Sequence, residues 1–187
     1  MALSKIDVAN MLTGATPVAN GGTALTSGFA NGVTEIDQFR LATSLENPGN
    51  ADITANLERV DDASFSKVGT GMTQSSGVYT FPSTGLYLIN VVSLVHVPNG
   101  NDGSCGVKTF ISSNSGTDYD LVAETDGGNN AGGQTFLTVT SQAFANVTNA
   151  SNFRCKFQAG SMAAATLRGD TNGNVTTFAF LRLAGSQ

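Results

Sequence analysis

No apolar run in this chain approaches the roughly 18 residues of a membrane span. Positive charge is also scarce. Nine Lys plus Arg stand against fourteen Asp plus Glu, a formal net charge of −5, which excludes the basic footprint of a nucleic-acid-binding protein. Histidine occurs once, at His96, and cysteine twice, at Cys105 and Cys155. One His and two Cys do not complete the usual four-ligand zinc set. Two Cys also make no disulfide framework for 187 residues. Two thiols lying within strands is the preferred reading, with a single Cys105–Cys155 bridge as the alternative. His96 ends an apolar run and reads as a packed or edge residue. A hydrophobic content of 40% with only 12% charged residues excludes a disordered chain. Met1 to Gly14 holds one Lys and no continuous apolar stretch, so no secretory signal is expected. The sequons at Asn146, Asn149 and Asn174 then read as turn-rich loops.

Catalytic motifs are missing too. There is no Gly-x-Ser-x-Gly elbow, phosphate loop or His-Glu-x-x-His pattern. The chain is not read as an enzyme, and no cofactor or metal is expected. The acids Asp61-Asp62, and Asp118 with Asp120, read as solvated surface. Asp170 to Asn174 opens like a calcium loop. Its Gly173 comes at the fourth place rather than the sixth, and position twelve is Leu181 rather than Glu. A polar hairpin tip at Asn172-Gly173 is preferred. Arg168-Gly169-Asp170 is treated as a chance tripeptide.

What the chain does have is Gly, Ser, Thr and Asn, together about two fifths of it. Gly and Asn serve turns and Thr serves strands, which predicts an all-β protein with many loops. The length fits one domain and an arm. The arm is residues 1–36. Ser4 with Asp7 is a weak capping pair, and Leu3, Ile6, Met11 and Leu12 allow two turns of helix ending at Gly14. A stretch rich in Gly, Thr and Asn follows, with Ala19-Asn20-Gly21 echoed at Ala30-Asn31-Gly32. Little in it can make a core, so it is either a floppy terminus or an extended arm ordered by a surface beneath it.

Residues 37–187 form the body. Strands are expected at Phe39–Thr43, Ala63–Val68, Val78–Phe81, Gly85–Val97, Gly106–Ser112, Asp118–Glu124, Thr135–Phe144, Phe153–Gln158 and Val175–Leu183. Residues 127–133 read as a loop with almost no side-chain content. Eight to ten strands at about ten-residue spacing are the mark of an antiparallel sandwich or jelly roll. Gly85–Val97 is the strongest element. Tyr87, Ile89, Val91 and Val95 share one face, and Leu88, Asn90, Val92 and Leu94 share the other. A strand apolar on both faces is covered on both faces. One cover is the opposite sheet, and the other is a further layer or another subunit.

Ser76 to Val95, SGVYTFPSTGLYLINVVSLV, resembles the tumour necrosis factor-like jelly roll, a fold shared with the globular heads of the first complement component. The resemblance rests on Tyr79, Phe81, Pro82, Gly85, Leu86 and Tyr87, and on the closing strand Thr176 to Leu183. It covers about residues 37 to 187, with a poor match in the middle. It implies a compact homotrimer in which Leu88, Asn90, Val92, Ala179 and Leu181 face neighbouring copies. The receptor-binding residues of the animal cytokines do not carry over, because the loops do not match.

Met1 to Thr26 is similar to the N-termini of marine bacteriophage virion proteins, in which a Pro-Val-Ala-Asn-Gly-Gly-Thr-Gly motif recurs. Pro17, Val18, Ala19, Asn20, Gly21, Gly22 and Thr23 match it, and Ala24 replaces the last Gly. This implies a virion protein assembled in the host bacterial cytoplasm, with reduced cysteines. The expectation is a trimeric capsid decoration, or cement, protein on the head exterior, its arm lying on the major capsid protein. The alternative is a short tail fibre that joins tail proteins and recognises a host surface receptor. Neither role needs nucleic acid or membrane.

Overall fold

Period-two alternation dominates the sequence, and it folds as strands. The computed structural model describes residues 32–98, 102–129 and 132–187. The arm residues Pro17 to Thr23, and the short helix expected before them, lie outside the described residues. The chain divides at Gly32–Val33, and the unit Val33–Gln187 holds every described strand. These are β1 (Ile36–Leu41), β2 (Thr43–Glu46), β3 (Leu57–Arg59), β4 (Lys67–Val68), β5 (Thr73–Ser75), β6 (Val78–Thr80) and β7 (Gly85–Val97). After them come β8 (Cys105–Ser112), β9 (Asp120–Ala123), β10 (Asp126–Gly127), β11 (Thr135–Val147), β12 (Arg154–Gly160), β13 (Thr166–Asp170) and β14 (Thr177–Ala184).

Two antiparallel sheets stack as a jelly-roll sandwich. In the first, β7 pairs with β11 along its whole length. On its other side β7 pairs with β14 and then with β13. Beyond β14 lies β1, edged by β3 and β4, and beyond β13 lies β2. The second sheet runs β10–β8–β12–β6–β5, with β9 also on β8. Between the sheets, Tyr79 from β6 sits with its ring 5.0 Å from Phe39, 5.4 Å from Phe157 and 5.1 Å from Phe180. One aromatic from each of β1, β6, β12 and β14 thus meets at one point, the kind of contact that adds about 1 kcal/mol beyond simple burial.

The strand count exceeds eight to ten because one expected strand is divided and β3, β5, β10 and β13 were not expected. Ala42 separates β1 from β2. Ser76 and Gly77, at φ 47° and 79°, turn β5 into β6 by the two-residue route that needs both residues left-handed. A Cβ on Gly77 would lie 2.2 Å from the carbonyl oxygen of Ile53, so that turn admits only glycine.

Two local expectations are corrected. Ala63–Val68 is strand only at Lys67–Val68, since a turn from Phe65 N–H to the Asp62 carbonyl occupies the segment before it. Asn172-Gly173 is not a hairpin tip. β13 and β14 both pair antiparallel with β7, end to end, so they run in the same direction and not against each other. The segment between them is an outward excursion from what is otherwise one long edge along β7. Thr176 closes it, its hydroxyl accepting from Leu94 N–H at 3.2 Å where the ladder is interrupted.

Candidate functional site: the outward face of the first sheet

β7 decides the site, because its two faces meet different surroundings. Its inward residues are buried without exception, and its outward ones from Leu86 to His96 are all half-buried. Strand register then assembles the outward face in rows. Leu88 lies between Phe144 on β11 and Leu181 on β14, with Ile36 beyond. Asn90 lies between Gln142 and Ala179, with Gln38 beyond. Val92 lies between Thr140 and Thr177, with Arg40 beyond. The five residues expected to share a face, Leu88, Asn90, Val92, Ala179 and Leu181, therefore sit side by side on two adjacent strands.

β11 contributes the residues that sequence reasoning did not single out. Phe144 is 66% exposed and Phe136 is 57% exposed. The signal was present in the parity of the strand, since Phe136 and Phe144 are eight residues apart and share a face with Thr138, Thr140 and Gln142. The strand also continues to Val147, past the expected end at Phe144. At the top of this face His96 stacks on Phe136, centroids 4.7 Å apart and planes at 21°, which makes it the packed histidine expected. In the middle, Gln142 Nε2 donates to Asn90 Oδ1 at 3.1 Å.

Across β11, β7 and β14 the outward face carries no Asp, Glu, Lys or Arg. Charge begins at the β1 margin. Arg40 is 2% exposed there, closed over by Glu58 and by Asp61 and Asp62 at 2.8 and 3.0 Å. The Glu58 hydrogen bond leads the effects that raise its pKa and hold it charged. Asp61-Asp62 is therefore not a plain solvated pair, as expected from sequence, but the lid on a buried guanidinium. Such a group is tolerable inside only when its charge is matched.

The other candidates do not assemble chemistry. Among the described residues no group of three or more His, Cys, Asp and Glu is placed to hold a metal ion. Asp170 turns back locally, its Oδ1 accepting from Asn172 N–H at 2.8 Å. Cys105 and Cys155 are buried free thiols. Cys155 lies opposite Ile111, six residues along β8 from Cys105, about 20 Å at strand rise. No bridge between them is possible in this fold. A cleft of about 420 Å³ opens beside Phe39, Leu57 and Met72. Its two cations are already engaged, Arg59 with Asp37 and the Met72 carbonyl, and Lys67 with the Thr70 carbonyl.

No family model and no curated protein matches the sequence. Solved structures do match the fold. Murine APRIL at pH 8.5 aligns with a TM-score of 0.54 at 11% identity, over 80% of this chain and 98% of that one. Eiger TNF from S. frugiperda gives 0.57 at 12% identity, over 81% and 94%. PRD1 vertex protein P5 gives 0.45 at 17% identity, over 81% and 98%. At such identities the likeness is one of fold, and with the sheet order and register above it makes this chain's body a tumour necrosis factor-like jelly roll.

Proposed function

We propose that the chain is a bacteriophage virion structural protein that works as a homotrimer, decorating and stabilising the capsid exterior. The observation that carries the trimer is the outward face of the first sheet. A contiguous apolar patch left exposed on a soluble domain marks an interaction surface. This one is uncharged on a chain of net charge −5. Copies of one acidic chain repel each other, so a contact between them favours the part of the surface that carries no charge. Leu88, Asn90, Val92, Ala179 and Leu181, with Phe144 beside them, form the proposed contact.

The virion placement rests on the Met1 to Thr26 resemblance and on the physics of the arm. Ordering a Gly-rich segment costs about 1–2 kcal/mol per residue, so it needs many backbone contacts from an extended surface. A capsid provides that surface, and three arms on one trimer reinforce each other through effective concentration. In this account the body stands on the shell and Pro17 to Thr23 lie on the major capsid protein. The role is structural rather than catalytic. The test is removal of residues 1–36 followed by sedimentation with purified capsids. The shortened chain is expected to remain folded and to stay in the supernatant while the full chain pellets. Undiminished co-sedimentation of the shortened chain overturns the arm's role, and binding of the same shortened chain to host cells redirects the proposal to a tail-fibre protein.

A further inference from the structure

The proposed contact surface contains one feature that an apolar interface does not need. Asn90 and Gln142 place two primary amides in the middle of it, with Leu88 and Val92 along the strand and Ala179 across it. Each amide offers two donors and an oxygen that accepts twice. Within one copy a single bond is made, from Gln142 Nε2 to Asn90 Oδ1. Among the described residues nothing pairs with Asn90 Nδ2 or Gln142 Oε1. In a free subunit water satisfies them. Once the surrounding apolar residues are covered, each must find a protein partner or cost the assembly its desolvation.

We infer that the Asn90–Gln142 amide pair is the recognition element that sets how many copies of this chain assemble and in which register. This rests on the homotrimer reading above. The occupant of the face is a second copy, and the argument is chemical complementarity. An amide pair with three unused N–H donors and three unused acceptor positions is complementary to itself, so the same pair on another copy supplies what each lacks. A flat apolar face tolerates sliding, because dispersion and burial are non-directional. A directional pair in its middle does not. Every off-register arrangement leaves buried amides unpaired, as a single polar residue does in a helical zipper when it selects register and oligomer state at some cost in stability.

The experiment compares the full chain with Asn90→Val/Gln142→Leu and with Gln142→Glu by sedimentation velocity at neutral pH, with circular dichroism to verify folding. The wild-type chain is expected as one boundary at the mass of three 19.1 kDa chains. The double variant keeps the apolar contact and loses the directional one, and is expected to spread over more than one oligomeric mass. Gln142 lies exposed on an edge strand, so Gln142→Glu leaves the fold intact. It brings like carboxylates together in every copy, and is expected to yield single chains. A double variant that still sediments as one three-chain species overturns the inference, as does a three-chain Gln142→Glu. A wild-type chain of single mass defeats the homotrimer reading itself, which separates the two failures.

Discussion

Burial governs the two thiols. It pushes Cys105 up to about 11 from its ordinary 9.0, with Asp102 and Asp126 adding to the rise, and it raises Cys155 further still. Tyr79, enclosed among the core aromatics, is raised for the same reason. The consequence is alkaline sensitivity. Above about pH 9 the unfolded chain gives up its thiol protons while the folded chain holds them, so the unfolded state binds fewer protons and stability falls as pH rises. Urea midpoints are expected to be flat up to about pH 8.5 and to decline from about pH 9 to about 11, at up to roughly 1.4 kcal/mol per pH unit for each fully protected thiol. Cys155→Ala, measured over the same series, is expected to lose part of that slope. An unchanged slope in that variant contradicts the assignment. Of the residue-scale features, the free thiols and the packed His96 were legible from composition and from the apolar run. The Arg40 cage was not, because its three carboxylates lie 18 to 22 residues away and only the pairing of β1 with β3 and the loop after it brings them together.

At the scale of the element, β7 carries most of what the sequence could disclose. Its alternation of two apolar sets required cover on both sides, and one cover is the second sheet. The other half of the site could not be read so directly. β11 shows its outward face mostly as Thr and Gln between two phenylalanines, which looks like an ordinary solvent face until the register places it beside β7. The Asn172-Gly173 signal failed for a related reason. Turn chemistry reports a local bend, whereas which strand comes next is decided by whether β7 is long enough to hold β13 and β14 in line. Phe144 tests the site at this scale. It is 66% exposed in one copy, so Phe144→Asp is expected to change the stability of the single chain by less than about 0.5 kcal/mol. The same substitution is expected to abolish self-association, read as a drop to single-chain mass by light scattering. Retained association at the wild-type mass contradicts the placement of this face between copies.

At the scale of the molecule, the proposed function requires a body that associates with itself and an arm that binds something larger. The fold class followed from composition, from the change in periodicity near Phe39 and from the Phe81-Pro82 to Tyr87 stretch. β1 begins at Ile36, the last residue of the expected arm. The biological setting depends instead on a short motif at Pro17 to Thr23, whose residues are small and uncharged. Such a segment states its partner only when it is bound. Immunogold electron microscopy of source virions with an antibody to this chain decides between head and tail. Gold is expected over the heads, on the outside of intact capsids. Gold confined to the tail tip, or no gold on any particle, contradicts the proposed function.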